Sequence, residues 1–433
     1  MRQNNIFKNI SNGVVTMLLC IVATCLFSAC HDDDEKKEPE YVADETMADS
    51  RTILVYMVAE NSLSQYCRED IQEMLDGVNA SKLKKGDNLV IYLDGSSIPR
   101  IYHLNGTDTV SYFSLDPEYS KLKPVKEYKE DVNSASADVL GEVVDYVKEK
   151  YPAQSYGLVL WSHGSGWIPS TNYDDNHAKH RKTFGIDNGN NSPGSNVGNQ
   201  MNIPAMARVL EKKCYFDFMF FDACFMQCIE VDYELRKCAK YVIGSPAEIP
   251  GPGADYKTLI PAMFKDKDYA KLMVETYHKT YENDYTYGVV LSAVNEAALD
   301  NFASYMKTVC KEKRSSLMSL DMDNVLNYFN YQRYGYNNMP DFVDIKGVAK
   351  NALDEEAYSV WQSEFDKIIE ASKFTSTWYS QYPNCSMSID AEQCGGVSMF
   401  VPLEWRYSYH GYSYPNLYMD TEWGKYVWEN LIY

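Results

Sequence analysis

Six short runs rich in β-branched and aromatic residues recur along the first 300 positions: TILVYMV at 52–58, NLVIYLDG at 88–95, YGLVLW at 156–161, FDFMFF at 216–221, YVIGS at 241–245 and YGVVLSAV at 287–294. Runs with so little polar alternation suit strands covered on both faces. Between them the spacing turns helical. Ser64–Val78 puts Cys67, Ile71, Met74, Leu75 and Val78 on one face, and Ser134–Lys150 does the same with Val139, Leu140, Val143, Val144 and Val147 before Pro152 stops it. Pro204–Lys213 and Cys224–Cys238 extend the alternation. A strand joined to the next by a helix returns to the end it left, so the pattern predicts parallel pairing within an α/β/α sandwich. IYHL and VSYFSL, at 101–104 and 110–115, read as a short hairpin. After residue 295 helices are predicted at 296–314 and 354–371, then a late strand GGVSMFVP at 395–402 and a closing helix. The fold expected is therefore a largely parallel sheet with helices on both faces, over 51–295, and a helix-rich C-terminal extension, 296–433, whose late strands pack on the core.

The charge and the N-terminus bound the partners. A net charge of −20 argues against nucleic acid, which needs clustered Lys and Arg, and favours the approach of cationic substrates. Arg2 and Lys8 precede a largely apolar stretch, Val14 to Phe27, too short to span a bilayer comfortably. It ends L-F-S-A-C, which resembles a bacterial lipobox with cleavage before Cys30 and lipid on its thiol. Residues 1–29 are thus expected to be a signal peptide. Residues 30–50, which begin with Cys30 and HDDDEKKEPE, form a solvated acidic tether. The address expected is export, with a lipid anchor in the outer membrane and display at the cell surface. Eight cysteines remain beyond Cys30, scattered over a chain long enough for its own core. Buried thiols with at most one bridge are expected.

In an open α/β sheet, chemistry collects beyond the carboxyl ends of the strands. His163 follows GLVLW, and Cys224 follows FDFMFF in the stretch FDACFMQC. If those strands are neighbours, imidazole and thiol emerge at one sheet edge. There the start of a helix after Cys224 would favour thiolate and the imidazole would move the proton. Gly164 permits close backbone approach, and its amide could join that of Cys224 in an oxyanion hole.

The order of a strand-HG turn and a strand-DAC turn, LVLWSHGSGW and FDFMFFDACFMQCIEVDYEL, resembles the clostripain family of cysteine peptidases, which has a caspase-like fold. TILVYMVAENSL, VNSASADVLGEVVDYVKEKYPA, GSPAEIPGPGADY and GVSMFVP carry the likeness further. The resemblance implies an endopeptidase in which Cys224 attacks the scissile carbonyl, His163 protonates the leaving amine, and the Gly164 and Cys224 amides hold the oxyanion. General acid–base help of this kind is worth about 10²–10⁴-fold, and one oxyanion donor about 2.7–4 kcal/mol. It also implies that Asp222 helps form the pocket for a P1 Arg or Lys. The family's second acid is expected near Pro252, which is not acidic, and the flanking Glu248 or Asp255 could take that place. The loop at 170–200 carries Lys179, Arg181 and Lys182, candidates for self-processing where family members cut their own chain.

Other classes fit less well. Cys214, Cys224, Cys228 and Cys238 lack the tight paired spacing of a structural zinc site, and Cys224 and Cys228 are not a C-x-x-C redox pair. No metal or other cofactor is implied. Calcium stimulation occurs in the family, but Asp174, Asp175 and Asp187 have no EF-hand spacing. The alternative of another class is a surface-tethered, catalytically silent lipoprotein that binds peptide or glycan, with the Tyr-rich YSYHGYSYPNLY at 407–418 as its contact surface.

Overall fold

The computed structural model describes residues 49–95, 98–106, 110–168, 183–189, 198–284, 286–330, 340–380, 385–403, 408–409 and 412–431. All lie in one unit, 45–433. Cys30, Lys179, Arg181, Lys182, Asp174 and Asp175 fall outside the described residues.

Nine strands form the central sheet: β1 Arg51–Val58, β2 Asn88–Asp94, β3 Arg100–Asn105, β4 Lys126–Glu127, β5 Ser155–Trp161, β6 Phe216–Asp222, β7 Ala239–Gly244, β8 Val290–Asn295 and β9 Ile369–Phe374. Their order is β9-β8-β7-β6-β5-β1-β2-β3-β4. The five in the middle, from β7 to β2, are parallel, and the strands beyond them on both sides are antiparallel. Seven helices pack against it: α1 Cys67–Ser81, α2 Ala137–Lys150, α3 Ile203–Leu210, α4 Ile229–Leu235, α5 Tyr256–Met263, α6 Tyr269–Tyr281 and α7 Leu299–Glu312.

The alternation of side chains along each strand divides the core in two. In β1, Leu54, Tyr56 and Val58 enter the layer under α2, α3, α4 and α7. Ile53, Val55 and Met57 enter the layer under α1, α5 and α6. This is the α/β/α sandwich with a largely parallel sheet that the apolar runs predict.

Three local expectations differ. β8 runs antiparallel to β7. Two helices, α5 and α6, connect them, and the second reverses the chain once more. IYHL lies in β3, which pairs with β2 and β4, whereas VSYFSL forms no strand. There Phe113 is fully buried edge-on to Tyr102, and its amide donates to Gln72. The helix expected from Cys224 begins only at Ile229. Phe225 takes φ 62°, and the chain first runs beside the loop after β7, with Phe225 N donating to Ala247 O at 2.9 Å and Gln227 N to Ser245 O at 3.0 Å. The chain after residue 295 also completes the sheet, because β9 is its edge strand.

Candidate active site

β5 and β6 are adjacent and parallel, with Trp161 opposite Asp222 at their carboxyl ends. His163 and Cys224 each stand two residues further on, so the two chains leave the sheet side by side. From 157 to 168 every residue is buried except His163, and from 218 to 233 every residue is buried except Cys224. The wall of buried residues thus opens at these two side chains.

Gly164 shows how closely the two turns meet. A Cβ there would lie 2.6 Å from the Cys224 carbonyl oxygen and 2.7 Å from Met226 Sδ. Gly164 also faces Phe184 in an antiparallel bridge. Its two bonds come from flanking residues, Ser165 N to Thr183 O at 3.0 Å and Gly185 N to His163 O at 2.9 Å. The bridge therefore fixes the turn without using the Gly164 amide.

Seven cysteines have described side chains, all are free thiols, and Cys224 is the one among them that is not buried. Burial pushes Cys214 up to about 11 and Cys238 and Cys394 up to about 12, and raises Cys67, Cys228 and Cys310 well above the usual thiol range. These six stay protonated and inert near neutral pH. No helix start stands behind Cys224. Instead Ile249 N donates to Cys224 Sγ at 3.4 Å, a contact that favours the thiolate over the thiol.

Beside this opening sits a buried acidic cluster that the structure assembles from four segments. Asp222 is buried. Its Oδ2 accepts from Tyr256 Oη at 2.8 Å and from Ala254 N at 3.2 Å, while Oδ1 makes no hydrogen bond. Burial pushes its carboxyl up to about 6 against the pull of those two donors. Asp70 on α1 accepts from Trp161 Nε1 at 2.8 Å, and burial, then the charge of Asp222, push it up to about 9. Glu73, one turn on, accepts from Tyr256 N at 3.0 Å and is raised to about 7 by burial. Asp222 therefore gives up its proton before Asp70 as pH rises.

A family model for the clostripain family of peptidases matches residues 55–425. The chain belongs to the clostripain family. It is similar to a secreted C11 cysteine protease from Bacteroides thetaiotaomicron solved with an irreversible peptide inhibitor, at TM-score 0.71 and 28% identity over 87% of this chain and 98% of that one. It is similar also to an inactive zymogen C11 protease from Parabacteroides distasonis, at TM-score 0.69 and 29% identity over 87% and 97%. Clostripain of Hathewaya histolytica is 26% identical over 243 residues, which cover 52% of this chain but only 44% of that protein. The match therefore spans less than half of that curated relative.

Within this clostripain-family fold, the structure brings His163, Gly164, Cys224 and Asp222 to one edge of the sheet. Glu248 and Asp255 each have a side-chain partner, and the Asp255 charge bears on Glu73. Glu248 bonds to the Ser380 hydroxyl, and Asp255 accepts from Thr258 Oγ1 at 2.9 Å. Asp187 lies in the strand Phe184–Asp187, where its carboxylate accepts from Ser134 N at 2.5 Å and Gly189 N at 2.8 Å. Among the described residues no group of three or more His, Cys, Asp or Glu is placed to hold a metal ion.

Three neighbours of the site lie outside the motifs: Asp70, Tyr256 and Ser62, whose hydroxyl stands 2.9 Å from His163 Nε2. Asp70 carried a signal, because an acid at that position falls in the same stripe as Cys67, Ile71 and Met74 on α1. Tyr256 and Ser62 carried none, since their partners lie 34 and 101 residues away.

Proposed function

We propose that the chain is an exported cysteine endopeptidase that cleaves after Arg or Lys with a His163–Cys224 dyad. One observation supports it above the rest: His163 and Cys224 are the sole openings in two buried stretches that leave neighbouring strands in matched register.

In this reading the Cys224 thiolate attacks the scissile carbonyl carbon, and the carbonyl electron pair moves onto oxygen. The amides of Gly164 and Cys224 hold that oxyanion. As it collapses, the C–N bond breaks and His163 gives a proton to the leaving nitrogen. A thioester remains. Water attacks it while passing a proton to His163, and the thiolate returns as the acid product leaves.

Asp222 supports the basic preference. It offers one unpartnered carboxylate oxygen in a buried pocket, and one carboxylate charge matches one guanidinium or ammonium. The acids in the field of Asp222 are Asp70 and Glu73, and the Asp255 charge bears on Glu73 in turn. Self-cleavage at Lys179, Arg181 or Lys182 follows from the same preference, and lipid on Cys30 would hold the enzyme at the outer membrane. Calcium has no part in the chemistry drawn here.

A P1-diverse peptide library assayed with wild type, Cys224→Ala and Asp222→Ala tests this. Cleavage disappears in Cys224→Ala, and Asp222→Ala loses Arg and Lys substrates selectively. Undiminished turnover by Cys224→Ala rules out the mechanism, and an unchanged P1 profile in Asp222→Ala rules out the pocket.

A further inference from the structure

The residues that follow β1 meet the residues that follow β5 in two successive pairs. Asn61 and Ser162 form the inner one. Asn61 is fully buried and its Nδ2 donates to Val58 O and Ile186 O, both at 2.9 Å, and to Ser162 Oγ at 3.3 Å. Its Oδ1 accepts from Leu63 N at 2.9 Å, and Ser162 Oγ donates to Val58 O at 2.7 Å. This clamp uses the polar atoms of both side chains and locks the turn at 59–63 against the approach to His163. The outer pair is one residue further along each chain: Ser62 Oγ stands 2.9 Å from His163 Nε2. Both pairs span 101 residues of sequence. Ser62 and His163 are half-buried, whereas Asn61 and Ser162 are closed to solvent.

We propose that Ser62 is the positioning residue for His163, selecting both the orientation and the tautomer of the imidazole. This rests on the His163–Cys224 reading above. With Nε2 facing the Ser62 hydroxyl, Nδ1 is the nitrogen that the dyad reading assigns to the sulfur and the leaving group. A hydroxyl can accept as well as donate. As acceptor it holds an Nε2–H in both states of the cycle. In the imidazolium, Nε2–H donates to Ser62 Oγ and Nδ1–H faces the reacting atoms. After Nδ1 has given its proton to the amine, the neutral ring keeps Nε2–H on Ser62, and its lone pair lies on Nδ1. That is the tautomer needed to take the proton of the deacylating water. A hydroxyl does this without a negative charge beside the ring, so it orients the base without strongly favouring the imidazolium.

The test compares Ser62→Ala, Ser62→Thr and Ser62→Asp in the full chain, with Cys224→Ala as the separate control for the dyad. Two readouts are taken: kcat and KM on the peptide that wild type cleaves fastest, and the rate of Cys224 alkylation by iodoacetamide against pH. Losing a hydrogen bond to a charged group, Ser62→Ala lowers kcat about 10–100-fold with KM within about twofold. Its pH–rate limb for imidazole ionisation moves down. Ser62→Thr keeps the hydroxyl and restores most of kcat. Ser62→Asp moves the same limb up, because a carboxylate stabilises the imidazolium. Wild-type kcat and an unmoved pH profile in Ser62→Ala overturn the proposal, and so does a loss that Ser62→Thr fails to restore. Activity persisting in Cys224→Ala would instead refute the dyad itself.

Discussion

The hydroxyl of Tyr256 donates to Asp222 Oδ2 at 2.8 Å, tying the residue two places before Cys224 to the first residue of α5. Oδ2 thus pins the loop after β7, while Oδ1 makes no hydrogen bond and is the atom proposed above to meet a substrate cation. Its carboxyl, raised to about 6 by burial, loses its charge as pH falls through that value. KM for Arg and Lys peptides should therefore rise below about pH 6. Tyr256→Phe removes a donor that favours the ionised form, so the rise should begin at higher pH. Steady-state kinetics from pH 5 to 8 check this, and identical KM profiles in the two proteins count against it.

Asp70 shares the pocket yet holds its proton at neutral pH, being pushed up to about 9. Asp70→Asn replaces one neutral group with another of the same shape and keeps an acceptor for Trp161 Nε1. At pH 7 the KM for an Arg peptide should stay within about twofold, whereas Asp222→Asn should raise it about tenfold or more by losing a charge-assisted bond. Equal losses in the two variants would show that Asp70 is ionised.

A side chain at position 164 cannot fit without parting the two catalytic turns, because a Cβ would lie 2.6 Å from the Cys224 carbonyl oxygen. Backbone cannot yield as a flexible side chain does. A displacement of this order in an active site costs about 10²-fold. Gly164→Ala should lose that much in kcat while thermal melting shows a folded protein. An unaltered kcat would mean that the turns need not touch.

Asp94 is fully buried at the carboxyl end of β2 and raised to about 9 by burial, with Asp187, Glu60 and Asp131 adding to the shift. A carboxyl raised in the folded state contributes stability at low pH that is lost as pH climbs toward 9. Asp94→Asn carries no such charge. Its melting temperature should match wild type below about pH 4 and exceed it increasingly toward pH 9. A constant difference across that range would contradict the assignment.

Much of this protein was legible in one dimension. Helix and strand periods are written in the spacing of apolar residues, so β1, β2, β5, β6 and β7 and the stripes of α1 and α2 could be read from runs such as TILVYMV and GLVLW. His163 and Cys224 were placed by the same logic, as residues that follow buried strands. The start of α4 is ambiguous in the sequence because CFMQC has apolar residues that suit a helix or an extended edge equally. Only pairing with 245–247 selects the second.

The order of residues marks which segments are strands, that they alternate with helices, and which imidazole and thiol end two of them. It takes the folded sheet to make β5 and β6 neighbours in matched register, to leave Cys224 alone of the seven described thiols open, and to bring Asp70, Tyr256 and Ser62 to the site. The reason is physical. Periodicity is a local property of the backbone. Burial, protonation and hydrogen bonding depend instead on atoms brought together from 34 to 101 residues apart, after the sheet has chosen its order.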